Sequence, residues 1–389
     1  MTTFSRTDMS LLGQWWQTVD RWTIAAIITL ATLGAFLIMA ASPAIAERLS
    51  LDTFHFVGRQ VLFLPLAMIS MFAVSFLSRV NIRRLSLIIF SFAAALMMFT
   101  LFSGAEIKGA TRWVNVMGVS LQPSEFIKPA FAVIAASMFA AWRLEERFPG
   151  YLVVLGLYGG VVLLLIAQPD VGMAILISFV WGLQFFLAGL PMVLVMGIGT
   201  VFIFGGFAAY FQFSHVRERI DRFIDPQNID VYGQVSRSLE AFKNGGVFGR
   251  GPGEGHVKEN LPDAHSDFIF AVAVEEFGMI AGLLIVSVFG FIVLRGLMRV
   301  FKETDLFVQL AVTGLLAQFG LQAIINLAST LNLMPTKGAT LPFISYGGSS
   351  LLALSISMGM VLSLTRERPN SKFSSRTFGN AESYDTSYS

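Results

Sequence analysis

Cysteine is absent from this sequence of 389 residues, and histidine occurs only four times. The first absence excludes disulfide bonds, thiol catalysis and cysteine-ligated metals, and the scarcity of histidine argues against a histidine-rich metal centre. Charged residues make up only 13% of the chain and hydrophobic residues 55%, whereas a soluble protein usually carries about 25% charged residues. The net charge of +2 is too small to indicate a nucleic-acid partner. The composition therefore predicts an integral membrane protein.

Long apolar runs recur along the sequence, and a spanning helix needs roughly 20 apolar residues, with a range of about 17–25. We expect an all-α polytopic membrane protein with about ten transmembrane helices and one large extracytoplasmic loop between the seventh and eighth. No strongly basic segment precedes the first run, so we expect it to stay as a span rather than act as a cleaved signal. The predicted spans are Trp22–Ala41, Val57–Leu77, Leu85–Ser103, Phe126–Trp142, Tyr151–Ala167, Val171–Ala188, Leu190–Phe211, Phe268–Leu294, Leu306–Leu331 and Leu341–Leu364.

The distribution of lysine and arginine predicts the orientation of the chain. Of these 27 cations, fourteen lie on the side of both termini and six lie opposite, while seven fall in the long loop, which the rule discounts. We therefore expect both termini to be cytoplasmic. The predicted divisions are a cytoplasmic N-terminal segment (1–21), a ten-helix membrane domain (22–364) with a large periplasmic loop (212–267), and a cytoplasmic tail (365–389) whose polar composition predicts disorder.

The length of the predicted loop between the seventh and eighth spans suggests a function, because loops that only connect two helices are usually short. It contains a basic amphipathic stretch, His215–Phe223, that is typical of a helix lying at the membrane interface, and a second helical pattern at Val231–Lys243. A glycine-rich run, Gly245–Gly255, either presents backbone N–H groups to a phosphate or forms a plain flexible turn. Since it lacks the Gly-Lys-Ser/Thr ending of a nucleotide-binding loop, ATP and GTP are not expected.

Acidic residues crowd the entry to the eighth span. Asp263 and Asp267 come directly before a long apolar run, where each could cap the helix. Asp267, which is closest to the apolar run, is alternatively a carboxylate that takes a proton from a substrate hydroxyl. Glu275 and Glu276 lie inside the run, where ionisable groups are costly, so they are interpreted as a structural ion pair or as protonated carboxyls.

Further polar groups fall on the predicted outer side. Arg112 and Lys128 either bind phosphate or reach back to lipid headgroups. Asp170 is either a helix cap or a cavity residue. The Pro- and Gly-interrupted entry to the last span, Asn332–Ser350, must be buried or line a cavity, because irregular backbone is not tolerated against lipid. A single outward-facing polar cavity would collect these groups.

Five motifs in order resemble the SEDS family (shape, elongation, division and sporulation), over roughly residues 20–368. The last motif contains Thr-Lys-Gly, and this feature resembles members of the division branch of that family rather than members of the elongation branch. The motifs are QPSEFIKP at 122–129, RIDRFIDP at 219–226, GGVFGRGPGEG at 245–255, LPDAHSDFIFAVAVEEFG at 261–278 and PTKGATLPFISYGGSS at 335–350.

The resemblance implies a peptidoglycan glycosyltransferase that joins lipid II units through β-1,4 links, with inversion, and releases undecaprenyl diphosphate. Asp267 matches the family's proposed catalytic acid, with Ser266 standing where the family motif has Thr. No cofactor is certain, although a divalent cation (Mg²⁺ or Mn²⁺) is compatible with a diphosphate leaving group. The residues expected to bind substrate are Arg112, Glu125, Lys128, Asp170, Arg250, Glu259, His265, Lys337 and Ser345.

The resemblance also implies partners and a location. The expected partner is a class B penicillin-binding protein, the transpeptidase FtsI, together with other membrane proteins of the division machinery. The expected location is the bacterial inner membrane at the division septum. Two alternatives remain open at this point: a flippase that carries lipid II across the membrane, and a non-enzymatic scaffold for division proteins.

Overall fold

The structure, a computed structural model, describes residues 10–103, 105–107, 110–116, 119–145, 148–189, 192–224, 233–335 and 338–367. Apolar helices dominate these ranges, and a small antiparallel sheet is inserted after the fourth helix. The helices are α1 (Leu11–Thr18), α2 (Arg21–Arg48), α3 (His55–Ser75), α4 (Arg79–Ser103), α5 (Pro123–Leu144), α6 (Gly150–Ala167), α7 (Val171–Leu187), α8 (Met192–Gln212), α9 (Ser214–Ile224), α10 (Gln234–Gly245), α11 (Val257–Asn260), α12 (Ile269–Val300), α13 (Leu306–Thr330) and α14 (Gly348–Leu364). The strands are β1 (Ala105–Ile107), β2 (Ala110–Val116) and β3 (Val119–Leu121).

Each of the ten predicted spans overlaps one helix, α2 to α8 and α12 to α14. Within the described residues, seven helices are long and apolar enough to cross a membrane, namely α2 to α6, α12 and α13. The all-α polytopic fold is thus confirmed. The number of crossings, the boundaries of the long loop and the division into segments stay predictions. The basic stretch of the loop forms α9, and the second helical pattern forms α10, as predicted.

Two features of the fold were not predicted from the sequence. The first is α1, whose N-cap Ser10 accepts a hydrogen bond from the Gly13 amide at 3.0 Å. The second is the three-stranded sheet β1-β2-β3, in which Asn115 pairs with Ser120. Its strands are three to seven residues long, which is too short for an alternating pattern to stand out.

The last helix begins later than predicted, at Gly348 rather than Leu341. Phe343 adopts a positive φ of 63°, which no helix residue can have. This irregular entry crosses α2 at Gly34, where an added Cβ would lie 2.6 Å from both the Phe343 carbonyl oxygen and the Ile344 Cα. Phe343 and Ile344 are buried. The irregular backbone is therefore enclosed by protein, as the lipid environment requires.

Helix α12 is broken at Gly278, whose φ of 81° and ψ of 174° are not helical. The break divides α12 into an outer segment, Ile269–Phe277, and an inner segment, Met279–Val300. The glycine-rich run fills the break: Gly246 and Val247 carbonyls accept from the Met279 and Ile280 amides at 3.0 and 3.4 Å. On the other side, the Arg250 and Gly251 amides donate to the Glu275 and Glu276 carbonyls at 3.0 and 2.9 Å.

This packing explains the glycines of the run Gly245–Gly255. A Cβ at Gly249 would lie 2.3 Å from the Glu276 carbonyl oxygen, and one at Gly278 would lie 2.3 Å from the Val247 carbonyl oxygen. Both positions also have positive φ, at 83° and 81°. The run also has a structural role that was not predicted, since two of its carbonyls and two of its amides satisfy the broken helix.

The end of the bundle where α2 begins, here called the inner end, is closed by ion pairs. Asp20, which is 2% exposed, lies 2.7 Å from Arg295 Nε and 3.0 Å from Arg299 Nε. Arg79 at the start of α4 pairs with Asp305 at 2.9 Å. The opposite end, which carries Asp267, is called the outer end.

Candidate active site at the outer end of the bundle

A tight turn directly before α12 carries Asp267. The carbonyl of Asp263 accepts hydrogen bonds from the amides of Ser266, Asp267 and Phe268 at 3.0, 3.0 and 3.3 Å. Asp263 adopts a left-handed conformation with φ of 55°, which aspartate tolerates better than most residues. The turn thus fixes the backbone of Asp267 through amide–carbonyl bonds.

Asp267 does not occupy the cap position of the helix that follows. The N-cap of α12 is Phe268, and no hydrogen bond from its side chain caps the helix. The interpretation of Asp267 as a helix cap is therefore wrong. Asp267 is half-buried, and a Cβ added to Gly338 would lie 3.4 Å from its Oδ2 atom. Gly338 has a φ of 71°, a conformation that favours glycine, and lies directly beside the carboxylate.

Asn326 of α13 fixes the turn through hydrogen bonds from its side-chain amide. Its Nδ2 donates to the Asp267 carbonyl at 2.8 Å and to the Ala339 carbonyl at 2.6 Å. Asn326 is 1% exposed, so both bonds lie in a protected environment. One amide therefore ties the Asp267 turn to the irregular entry of α14.

Ser345 and Tyr346 make the second tie between these two segments. The Ser345 hydroxyl donates to the Ser266 carbonyl at 2.5 Å and accepts from the Leu341 amide at 2.7 Å. The Tyr346 amide donates to the His265 carbonyl at 2.9 Å. Both bonds of the Ser345 hydroxyl are made within the chain, so its contribution to the site is to hold the turn.

His265 belongs to an aromatic cluster beside the same turn. Its ring centroid lies 4.5 Å from that of Phe56 and 5.3 Å from that of Tyr346. The residue is buried. The structure thus places His265 in the same turn as Asp267, with its ring packed against two aromatic side chains.

A row of buried polar side chains runs along one face of α13. Gln318, Gln322, Asn326 and Thr330 are spaced four residues apart, which puts them on one face of a helix, and none is more than 2% exposed. Polar groups inside a membrane bundle are costly unless they are hydrogen-bonded, and Gln322 and Asn326 of this row bond to α5, to the Asp267 turn and to the entry of α14. The sequence analysis missed it, although the spacing of three amides in an apolar span was a usable signal.

Lys128 enters this row from α5. Its Nζ lies 2.8 Å from Glu125 Oε2 and donates to Gln322 Oε1 at 3.0 Å, and only 3% of Lys128 is exposed. Gln322 Nε2 in turn donates to the Thr340 carbonyl and to the Ser350 hydroxyl, at 3.1 and 3.2 Å. Thr340 follows Ala339, the residue that Asn326 ties to Asp267. Lys128, Glu125 and Asp267 are therefore connected through neutral amides and hydroxyls.

Arg112 and Asp170 form a second group at the outer end. Arg112 Nη1 lies 3.5 Å from Asp170 Oδ1, and its guanidinium donates to the carbonyls of Gln168, at 3.1 Å, and Pro169. About a quarter of the Arg112 side chain is exposed, at 27%. Asp170 also caps α7 by accepting from the Met173 amide at 3.2 Å, which confirms the capping interpretation.

Arg250 lies on the glycine-rich run and Glu259 lies on α11. Both are exposed. Arg250 Nε donates to the Asn244 carbonyl at 3.4 Å, and Glu259 Oε1 lies 3.8 Å from His256 Nδ1. Lys337, the remaining predicted substrate ligand, lies outside the described residues.

The predicted divalent cation finds no preformed cage. Within the ranges that the structure describes, no group of three His, Cys, Asp or Glu side chains is arranged to hold a metal ion. Mg²⁺ is often held by only one or two carboxylates together with substrate phosphates. The divalent cation at the diphosphate therefore stays a prediction.

Buried carboxylates complete the outer end. Glu276 Oε1 lies 2.6 Å from Lys258 Nζ, so the predicted structural ion pair is confirmed for Glu276. Glu275 accepts backbone hydrogen bonds instead, from His256 and Val257, both at 3.1 Å. The sequence pattern did not indicate this second arrangement, because the amides that it uses lie 18 and 19 residues away along the chain.

Fold and site together define a multi-span membrane protein with a polar site at one end of its helix bundle. The chain belongs to the FtsW/RodA/SpoVE family of cell cycle proteins, whose model matches residues 21–370. The predicted resemblance to the SEDS family is thereby confirmed.

Curated relatives cover nearly the whole chain. A protein of Caulobacter vibrioides named "Probable peptidoglycan glycosyltransferase FtsW" is 46% identical over 377 residues, which are 97% of this chain and 96% of the relative. A protein of Alcanivorax borkumensis with the same name is 34% identical over 361 residues, covering 88% of this chain and 92% of the relative. These names agree with the predicted likeness to the division branch.

Solved structures share the fold. One chain, from a study of the structural coordination of polymerization and crosslinking by a peptidoglycan synthase complex, matches with a TM-score of 0.74 and 27% identity, covering 90% of this chain and 98% of that one. The rod shape determining protein RodA of Thermus thermophilus matches with a TM-score of 0.65 and 25% identity, covering 90% and 97%.

Proposed function

We propose that the chain is a peptidoglycan glycosyltransferase that polymerises lipid II into β-1,4-linked glycan strands during septal cell-wall synthesis. The observation that carries the proposal is the placement of Asp267, a half-buried carboxylate on a backbone tied to α13 and to the entry of α14, with a glycine beside it. The names of the curated relatives support the same activity.

The proposed reaction needs one proton acceptor. A hydroxyl of the acceptor sugar attacks the anomeric carbon of the donor, and the bond from that carbon to the diphosphate oxygen breaks with inversion. The bonding pair leaves with undecaprenyl diphosphate, and the hydroxyl proton passes to the Asp267 carboxylate, which acts as general base. Since the backbone on both sides of Asp267 is fixed, the carboxylate is pre-positioned for this transfer.

The leaving diphosphate needs positive charge nearby. Arg112 is the more accessible of the two described candidates, and we propose that it meets the diphosphate, with Asp170 orienting its guanidinium. Lys128 is enclosed between Glu125 and Gln322, so we propose that it acts through the polar network that reaches the Asp267 turn. Lys337, Arg250 and Glu259 remain proposed substrate contacts on sequence grounds.

Purified protein supplied with lipid II tests the activity, with products sized on a gel. We expect glycan strands that lysozyme digests. Movement of lipid II between the leaflets of proteoliposomes without any polymer would favour the flippase alternative. Neither polymer nor lipid movement, with partner binding retained, would favour the scaffold.

We further propose that the chain works with a class B penicillin-binding protein, the transpeptidase FtsI, which would crosslink the new glycan strands. A structural neighbour that comes from a peptidoglycan synthase complex supports such an assembly. Copurification from mild detergent should recover FtsI. Recovery of only the elongation transpeptidase would contradict the assignment to septal synthesis.

We also propose that the outer end faces the periplasm and that both termini are cytoplasmic, at the inner membrane of the septum. Cysteine introduced at Asn244, in the long loop, should react with an impermeant thiol reagent added to spheroplasts. Cysteine at Lys302, in the turn after α12, should react only after the membrane is opened. The reverse labelling pattern would overturn this orientation. Because the chain has no native cysteine, each signal is unambiguous.

A further inference from the structure

Glu275 makes a contact that the proposed chemistry does not explain. The residue lies on the outer segment of α12 and is completely buried, with 0% exposure. Its Oε1 atom accepts hydrogen bonds from the amides of His256 and Val257, each at 3.1 Å. These amides begin α11, so the carboxylate joins the start of that helix to α12.

The neighbouring residue fixes α11 at a second point. Glu276 Oε1 lies 2.6 Å from Lys258 Nζ, and the same ammonium donates to the Gly253 carbonyl at 2.8 Å. The Lys258 and Glu276 side chains are both buried, at 8% and 0% exposure. Adjacent residues of one helix turn thus hold adjacent residues of α11, which leaves α11 little freedom to move.

The contacts of Glu275 close a ring in the chain. The ring runs from His256 through α11, the Asp263 turn and Asp267, then along the outer segment of α12 back to Glu275. Within it, Leu261 and Ala264 are completely buried. The position of Asp267 therefore depends on where Glu275 holds the beginning of the ring.

We propose that Glu275 is a positioning residue for Asp267, through the bonds that its carboxylate makes to the start of α11. This inference rests on the proposed glycosyl transfer. Its carboxylate is enclosed and takes no part in the proton transfer. The fit is close, because a Cβ at Gly255 would lie 2.9 Å from Glu275 Oε2. What Glu275 supplies is therefore the length of its side chain and an oxygen that accepts from two amides.

Two substitutions of Glu275 distinguish the effect of side-chain length from the effect of charge. Glu275→Gln keeps the length of the side chain and an acceptor oxygen but removes the charge. Glu275→Asp keeps the charge but shortens the side chain by one methylene group, so that its oxygens no longer reach both amides. Glu254→Ala is the matched control, since Glu254 is an exposed glutamate of the same glycine-rich run.

Lipid II polymerisation by the purified full-length variants gives the first readout. We expect Glu275→Asp to lower kcat by roughly 10–100-fold while KM changes by less than about threefold, because misplacing a reacting group by about 1 Å costs up to about 100-fold. Glu275→Gln should stay within about threefold of wild type. If Asp is active and Gln is not, the charge matters and the positioning role is overturned.

Hydrogen–deuterium exchange gives a readout that does not depend on activity. The amides of His256 and Val257 should exchange about tenfold faster or more in Glu275→Asp than in wild type, and Glu254→Ala should leave them unchanged. Unchanged exchange in Glu275→Asp would refute the contact. If that variant does not insert in the membrane, Gly255→Ala replaces it, because the added methyl group displaces the Glu275 carboxylate.

The two proposals can fail separately. If wild-type protein makes no polymer, the glycosyltransferase proposal fails, and the exchange data still decide whether Glu275 holds α11. If wild type polymerises and Glu275→Asp exchanges faster at unchanged kcat, Glu275 holds α11 without positioning Asp267, which overturns the inference.

Discussion

Both ends of the helix bundle contain direct ion pairs, but at the outer end a row of buried neutral amides along α13 accompanies them. At the inner end, acids meet arginines directly, as Asp20 does with Arg295 and Arg299 at 2.7 and 3.0 Å. At the outer end, Lys128 pairs with Glu125 at 2.8 Å and is also connected to the backbone of Asp267 through the neutral amides of α13 and the carbonyls at the entry to α14.

The difference separates a region that holds the fold from one that is built for chemistry. Direct ion pairs neutralise charge and fix helix ends. A row of oriented amides keeps its dipoles in place while substrate charge develops, which is the arrangement that stabilises transition states. Substitutions at the outer end should therefore act on rate, and those at the inner end on stability.

The largest effect is expected for Asp267→Asn, which keeps the size of the side chain and removes its basicity. General-base catalysis is typically worth about 10²–10⁴-fold, so the rate of lipid II polymerisation should fall by that factor. Membrane insertion, melting temperature and FtsI binding should be retained. Asp263→Asn is the control and should be much milder, because Asp263 holds the turn through its carbonyl oxygen. Long glycan strands at near wild-type rate would remove Asp267 from the mechanism.

A smaller effect on rate is expected for Lys128→Met. Because it breaks the link from Glu125 to Gln322, polymerisation should fall by roughly 10–100-fold, by loss of positioning. The variant also leaves Glu125 without its cation, so it should be less stable. The double variant Lys128→Met with Glu125→Gln should recover stability but not rate. Recovery of both would mean that the pair serves only the fold.

The smallest effect on rate, and a clear effect on stability, is expected for Asp20→Asn. Burial raises the pKa of Asp20, but hydrogen bonds from Arg295 and Thr23 and the charge of Arg299 outweigh it, so the pKa lies below its ordinary value of 3.8. Since the arginines are about a quarter exposed, we expect a loss of about 1–3 kcal/mol, with polymerisation within about twofold of wild type.

The lowered pKa of Asp20 sets the pH range of this contribution. A carboxyl with a depressed folded-state pKa stabilises the protein above its unfolded value, near 3.8, and loses that contribution as pH falls through the folded value. The melting-temperature gap between wild type and Asp20→Asn should thus be constant from neutral pH to about pH 5 and close only below 3.8. Asp52→Asn, an exposed control, should show no gap. A gap that closes near neutral pH would contradict this assignment.

Much of the fold could be predicted because a membrane-spanning helix needs a continuous apolar segment, which is visible in the local sequence. All ten predicted segments overlap helices, and the ends of α6 and α7 fall within one residue of the prediction. The sequence did not predict the break at Gly278, which depends on the glycine-rich run some thirty residues earlier in the chain. Long-range contacts of this kind leave no periodic pattern.

Some residues of the candidate site could likewise be predicted from the sequence, and others could not. Asp267, Lys128 and Arg112 stand out as charged residues beside apolar runs, and motif resemblance singled them out. The four-residue spacing of Gln322 and Asn326 could have indicated a buried polar face, but their role could not be predicted because it depends on carbonyls at the entry to α14. Ser345 was predicted to contact substrate, whereas both hydrogen bonds of its hydroxyl are made within the chain.

The break at Gly278 also bears on the height of Asp267 above the hydrocarbon layer. The inner segment Met279–Val300 is about 33 Å long at 1.5 Å per residue, close to the roughly 30 Å of a hydrocarbon layer. The outer segment would then stand about 13 Å above the lipid tails, with Asp267 at its top. A lipid-anchored diphosphate rests at headgroup level, and its sugars extend beyond it. On the proposed function, the break at Gly278 would thus let Asp267 lie at the height of the sugars rather than of the lipid tails.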